Sequence, residues 1–449
     1  MNSIFDPLLA ENWTTLLVRH DWRSGNSSAF TYREWEPDLD FARYGKLFHH
    51  QSMLSPAGAC LDAADTEELF KRHGRIEELQ RLFELLRQGR HEGVHCRVHE
   101  RRNIRFMANI HSSVLGIGNG RHAIRAGGIR RHGFDDPEPE VFIDGLNLAR
   151  GMSFKNAAAQ IPYGGCKTCV HSESIGLQDM EALGFLEYCI DKGRFFTGPD
   201  MGFLPEHADV LRAHFTRNIV GGPGGALGPT GTPTAQGVYL ALIEAAHSHL
   251  PGKTGLKGLS VAVQGLGAVG APLATRLLAG DVPRLLVADV DQSRVDAFMG
   301  ALSERDKTRV EVVSADEVLF SEVDVVSPNA LGGVLGSEQI QKLRCSIVMG
   351  AANNQLRAVS QLAERALADD LAKRGILYQV DWMHNTAGVI AGAEEWENQE
   401  SADSERVLEG LERVCRDGVR RNLAEAAKRG LTPTANAYRS IEDRIYQPL

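Results

Sequence analysis

Along residues 65–88, DTEELFKRHGRIEELQRLFELLRQ, leucines and phenylalanines recur at three and four positions among charged residues, which predicts a charged amphipathic helix. Upstream, residues 1–75 carry three tryptophans and FTYREWEPDLDF with little periodicity, and they are expected to form an N-terminal extension of unassigned role. GVHCRVHERRNIRFMANIHSS (93–113) alternates as strands do. From 142, FIDGLNLARGMSFKNAAAQIPYGG predicts a helix ending near a glycine-rich turn, and LQDMEALGFLEYCIDKG (177–193) predicts another.

The rhythm then changes. GGPGGALGPTGTPT (221–234) is too irregular for core and predicts a functional loop or a domain crossing. An apolar helix follows at 235–250. LSVAVQGLG, AVGAPLATRLLAG and RLLVADV then predict strand, helix, strand. VDVVSPNA, CSIVMGAAN and ILYQVDWM add three buried-strand runs, and the tail 402–449 is charged and helical. Such alternation indicates an α/β fold with a parallel sheet wrapped by helices.

Composition narrows the function classes. The chain has 449 residues, 43% hydrophobic and 24% charged, which suits an ordinary globular protein of two or three domains. The formal net charge of −9 argues against a polyanionic partner, so no nucleic acid is expected. The local basic run Arg125 to Arg131 is expected on a solvated face. No signal peptide and no membrane span are expected, and seven scattered cysteines fit a reduced, cytoplasmic protein.

The first chemical signature is VAVQGLGAVG. Gly265, Gly267 and Gly270 stand in G-x-G-x-x-G spacing between an apolar strand and a helix start, with Ala268 and Val269 inside the turn. The first glycine suits a tight turn, the second a close approach of pyrophosphate, and the third helix–strand packing. Asp289 ends the next strand, where a carboxylate would bind the adenosine ribose and repel a 2′-phosphate. NAD is therefore the expected cofactor, with Arg284 and Arg294 nearby keeping NADP open.

Several ordered stretches between about residues 90 and 395 resemble the glutamate/leucine/phenylalanine/valine dehydrogenase family. They are RGMSFKNAAAQIPYGGCK, FTGPDMGF, GPTGTPTAQGVY, NALGGVLGSEQI, MGAANNQL and VDWMHNTAGVIAG. The resemblance implies nicotinamide-dependent, reversible oxidative deamination of an L-amino acid to a 2-oxo acid and ammonia. It implies an N-terminal substrate domain with a mixed sheet, a Rossmann-type domain, and an active site in the cleft between them. The substrate domain is placed at 76–234, with C-terminal helices 395–449 returning to it, and the NAD-binding domain at 235–394. A homo-oligomer is expected.

On this resemblance Lys155 is the anchor for the substrate carboxylate, a charged hydrogen bond of about 1.5–3 kcal/mol. Lys167 is the catalytic lysine, expected to have a depressed pKa from two nearby positive charges and a dry cleft. Asp200 is the proton-transferring carboxylate and a support for Lys167. Gly127 and Gly128 let the backbone approach the substrate. Thr234, Asn354 and Asn385 hold the nicotinamide and the substrate carboxylate, and Asn329, Ala330 and Ala352 complete the cofactor site.

Glutamate enzymes of the family place a lysine where this chain has Ala126, and Arg125 beside it would face the other way in an extended strand. Leucine enzymes usually carry larger residues at the positions of Ala126 and Gly198. A roomier pocket is implied, and with it a bulky apolar side chain, aromatic before branched aliphatic. Leucine or valine is an alternative substrate. An alternative function is that of a catalytically retired NAD-binding oligomer with a regulatory or scaffold role, because the chain departs from the family in several places. There are about seven extra residues in GIGNGRHAIRA, Phe203 in place of a small residue, and Cys166 in place of a glycine. Phe203 is expected to compete for the substrate's space, and Cys166 and Cys169 are expected to be packing thiols, with an oxidisable Cys166 of lowered pKa beside the lysines as the alternative. The C-x-x-C of Cys166 and Cys169 suggests no metal site, since no second ligand pair stands at useful spacing.

Overall fold

The structure, a computed structural model, describes residues 2–36, 38–46, 59–113, 124–215 and 218–446. Most of the extra GIGNGRHAIRA stretch lies outside them. The chain divides into two compact units, one running up to Asn156 and over Pro162–Gly228, the other holding Ala157–Ile161 and Pro229–Tyr446.

The first unit is built on nine strands: β1 (Thr15–Asp21), β2 (Asn26–Tyr32), β3 (Cys60–Leu61), β4 (Gly93–His99), β5 (Ile104–Ser112), β6 (Arg125–Ala126), β7 (Ile129–His132), β8 (Gly164–His171) and β9 (Phe195–Phe196). Their order is β3-β2-β1-β4-β5-β8-β6-β9, with β7 also paired to β8. The sheet is mixed, as expected: β5 meets β8 antiparallel, whereas β6 and β7 run parallel to β8.

The first 75 residues are not a separate extension. β1 pairs with β4 from Thr15↔Arg97 to Arg19↔Gly93, and β2 continues the same sheet. The alternation that would have marked β1 is broken by its adjacent apolar residues Leu16, Leu17 and Val18. Trp35 stands edge-on to Phe41, Phe185 and Tyr188 and so ties this segment to the core. The amphipathic pattern at 65–88 forms two helices, Ala63–Arg72 and Ile76–Gly89, parted at Gly74, whose φ of 62° stops the first.

Every residue of β8 is buried, so both faces of the sheet are covered here. One core holds Phe106, Ile110, Cys166 and Val170 against the helix Met180–Gly193. The other holds Val94, Met107 and Cys169 against Phe142 and Leu146 of the helix Glu138–Ala158.

The second unit carries a parallel sheet of β10 (Ser260–Gln264), β11 (Arg284–Ala288), β12 (Val310–Val312), β13 (Val325–Pro328), β14 (Ile347–Val348) and β15 (Leu377–Tyr378). The order β12-β11-β10-β13-β14-β15 is Rossmann-like, and it reverses between β10 and β13. Five of these strands match the buried runs in the sequence. β12 does not, because its side chains are mostly solvent-facing. The tail helices Ser404–Leu411, Val419–Arg429 and Pro433–Ile445 cluster with the second unit, whereas they were expected to return to the first. No described helix is long and apolar enough to cross a membrane.

Candidate functional site

β8 places Lys167 in the first unit. Its side chain is almost wholly buried, and its ammonium is ion-paired with Asp200, in the turn after β9. Gly128 makes room for that ammonium: a Cβ there would stand 2.9 Å from Nζ and 3.2 Å from the carbonyl oxygen of Gly198. Gly127 packs still closer, since a Cβ would run into the carbonyl oxygen of Cys166. The structure therefore brings Gly127, Gly128, Lys167, Gly198 and Asp200 together. Ala126 is buried on β6, opposite Gly165. Lys155 lies near the end of the helix Glu138–Ala158 and is buried.

Arg130 is the residue that the sequence did not single out. Its Nε lies 3.2 Å from Asp200 Oδ2, and its Nη1 reaches both oxygens of Asp144 at 2.9 and 3.1 Å. Burial would raise the pKa of Asp200, but the charges of Lys167 and Arg130 outweigh it and hold the carboxyl well below the usual carboxylate range. Arg130, the cation the structure places nearby, meets Lys167 only through the shared carboxylate of Asp200. Nor is the basic run a solvated face. Arg125 donates to Ser113 Oγ and the Gly193 carbonyl, and Arg131 to the carbonyls of Ser172 and Gly202. A one-dimensional charge run does not reveal that its guanidiniums have carbonyl and carboxylate partners distant in sequence.

A further expectation, for Phe203, is corrected, whereas Cys166 packs in the core as expected. Phe203 is core, stacked on His207 at 4.4 Å between ring centroids, and so is fixed in the packing of the first unit. Cys166 is fully buried, and burial pushes its thiol up to about 12 despite Arg125 and Lys167 nearby. Because strand side chains alternate, Cys166 and Cys169 fall in different cores on opposite faces of β8.

In the second unit, Gly265 has φ +90°, and a Cβ on Gly270 would meet the Gly265 carbonyl oxygen. The helix Gly270–Ala279 starts at Val269 with no side-chain cap, with Gly267 and Ala268 in the preceding turn. Its first-turn N–H groups suit a pyrophosphate. Asp289 accepts hydrogen bonds from the Leu266 and Asp291 N–H groups at 2.7 and 2.9 Å, with Arg294 Nη1 3.8 Å away.

Asn385 donates to the Ala351 carbonyl and to Asn353 Oδ1, both at 3.0 Å, while its buried Oδ1 has no hydrogen-bond partner. Such an orphaned acceptor fits an amide donor from a bound nicotinamide. Asn354 adopts the left-handed conformation at φ 50°. Asn329 is occupied within the protein: it donates to the Ser327 carbonyl and hydroxyl and accepts from the Ala351 N–H. Ala330 borders Gly265, Ala352 is buried, and Thr234 Oγ1 caps back to the Thr230 carbonyl at 2.8 Å.

A Rossmann-like unit with a glycine-rich phosphate turn is the framework of dinucleotide-binding proteins. Residues 281–447 match the family model for glutamate/leucine/phenylalanine/valine dehydrogenase. Phenylalanine dehydrogenase of Bacillus thermotolerans is 33% identical over 76% of this chain and 85% of its own length. L-tryptophan dehydrogenase of Nostoc punctiforme is 33% identical over 81% of this chain and 96% of its own. The crystal structure of L-tryptophan dehydrogenase from that organism superposes with a TM-score of 0.60 at 31% identity, covering 81% of this chain and 98% of the other. The chain belongs to the glutamate/leucine/phenylalanine/valine dehydrogenase family, whose members are amino acid dehydrogenases.

Proposed function

We propose that the protein catalyses the NAD-dependent, reversible oxidative deamination of an L-amino acid with a bulky apolar side chain, aromatic before branched aliphatic. The buried Lys167–Asp200 pair, with Gly128 clearing space beside the ammonium, carries this reading.

Lys155 anchors the substrate carboxylate. Lys167 Nζ stabilises charge developing on the oxygen or nitrogen at C2 and orients the attacking water. Asp200 Oδ2 takes the proton released there. In the resting pair its basicity is suppressed by two cations. When the lysine turns to the substrate, one of them withdraws and the carboxylate becomes a better base. NAD, when bound, accepts the hydride from the α-carbon. Gly265, Gly267, Ala268, Val269 and Gly270 would hold its pyrophosphate, Asp289 its ribose, and Thr234, Asn354 and Asn385 its nicotinamide end, with Asn385 also a candidate substrate-binding residue. Asn329, Ala330 and Ala352 shape that site.

For the substrate, Ala126 offers no charge to a side-chain carboxylate, and the neighbouring Arg125 is committed to Ser113 and Gly193. Relatives named for phenylalanine and tryptophan stand beside ones named for valine and leucine at 32% identity, so the aromatic preference rests on the small residues Ala126 and Gly198. The seven free thiols fit a reducing compartment such as the cytoplasm, and a homo-oligomer is proposed. Comparing kcat/KM for phenylalanine, tryptophan, leucine and glutamate tests the assignment. A preference for glutamate overturns it, and no turnover with any amino acid despite NAD binding favours a non-catalytic role.

A further inference from the structure

We infer that His132, Asp144 and Cys169 form a binding site for a zinc-like divalent cation. The three come from β7, the helix Glu138–Ala158 and β8, and their ligand atoms all lie within 4.8 Å of one another. A thiolate, an imidazole and a carboxylate make a mixed soft and hard donor set that suits Zn²⁺. Zinc–ligand bonds of about 2.0–2.3 Å require these atoms to close by on the order of an ångström.

A second observation points to the same place. His132 Nδ1 is bound to Asp136 Oδ2 at 2.9 Å, which orients the ring and turns Nε2 inward. That nitrogen is buried and faces Asp144 Oδ2, 3.2 Å away, off good hydrogen-bond geometry, with the Cys169 thiol in the same cluster. A carboxylate holding the far nitrogen of a ligating imidazole is the usual outer support of a zinc site. Cys169 is fully buried, with Asn109 Nδ2 3.8 Å from its sulfur. Three protein ligands leave a fourth position for water.

The opposing charge is Arg130, which grips both oxygens of Asp144. One carboxylate oxygen can stay with the guanidinium while the other turns to the metal. Binding releases any proton on Nε2 and the thiol proton to solvent. Only one sulfur of the C-x-x-C takes part, because Cys166 faces the opposite core.

The full chain, without a polyhistidine tag, is titrated with Zn²⁺ in competition with a chromogenic chelator, and separately with Co²⁺. The expected result is one equivalent of tight binding and a thiolate-to-cobalt charge-transfer band. Cys169→Ser and His132→Gln should each weaken binding by at least about tenfold, with Cys60→Ser and Cys166→Ser unchanged. Absence of stoichiometric binding, a cobalt spectrum without the thiolate band, or loss of binding in Cys60→Ser but not in Cys169→Ser overturns the site. The cobalt spectrum of the unaltered protein decides the matter even where a variant fails to fold.

Discussion

Gly128 and Lys167 are fitted to one another: the space a side chain would fill at Gly128 is taken by the lysine's ammonium, 2.9 Å from the position of a Cβ. Gly128→Ala must therefore displace Nζ or the adjoining backbone. The expected outcome is a loss of about 100-fold in kcat/KM, the scale of a catalytic group shifted by an ångström, with the cofactor's Kd unchanged. Steady-state kinetics and NADH binding on one preparation check it.

Asp200 gives a pH signature. Its folded pKa lies below the ordinary value because Lys167 and Arg130 outweigh its burial. Its stabilisation is therefore complete above the unfolded value of about 4 and disappears as pH falls through the folded value. The stability difference between the natural protein and Asp200→Asn should be constant from neutral pH to about 4 and shrink below that. Denaturant titrations across that range measure it, and a gap that widens in acid contradicts the pairing.

Arg130→Met removes the partner of two carboxylates at once, Asp144 and Asp200. Breaking such a partly buried set by deleting one partner costs about 3–5 kcal/mol. Asp144→Asn, which leaves Arg130 bound to Asp200, should cost less. Chemical denaturation of both variants gives the comparison.

Much of this was legible from the chain and some was not, for reasons the residues make plain. The cofactor half lies in contiguous motifs, because a phosphate turn is local: Gly265 to Gly270 form one turn. β12 escaped notice since its exposed side chains carry no hydrophobic signal. Arg130 escaped because its partners, Asp144 and Asp200, lie 14 and 70 residues away, and nothing in RAGGIRR says which arginine faces inward. Cys166 packs as a core thiol, because adjacent strand residues point to opposite faces and burial outweighs the nearby charges of Arg125 and Lys167.

The same burial governs thiol chemistry. With its thiol raised to about 12, Cys166 should resist alkylation at neutral pH in the native protein, while exposed Cys60 reacts first. Peptide mapping after brief treatment with iodoacetamide distinguishes them. Rapid labelling of Cys166 with loss of activity would favour the alternative, an oxidisable thiol, over the packing role.

Among the described residues, the two ends of the sheet's main path, β3 and β9, are only two residues long, while β7 branches off beside β8. A neighbouring molecule that added a strand there would gain very few main-chain hydrogen bonds. The broad sheet of the first unit is in this way guarded against open-ended growth into fibres.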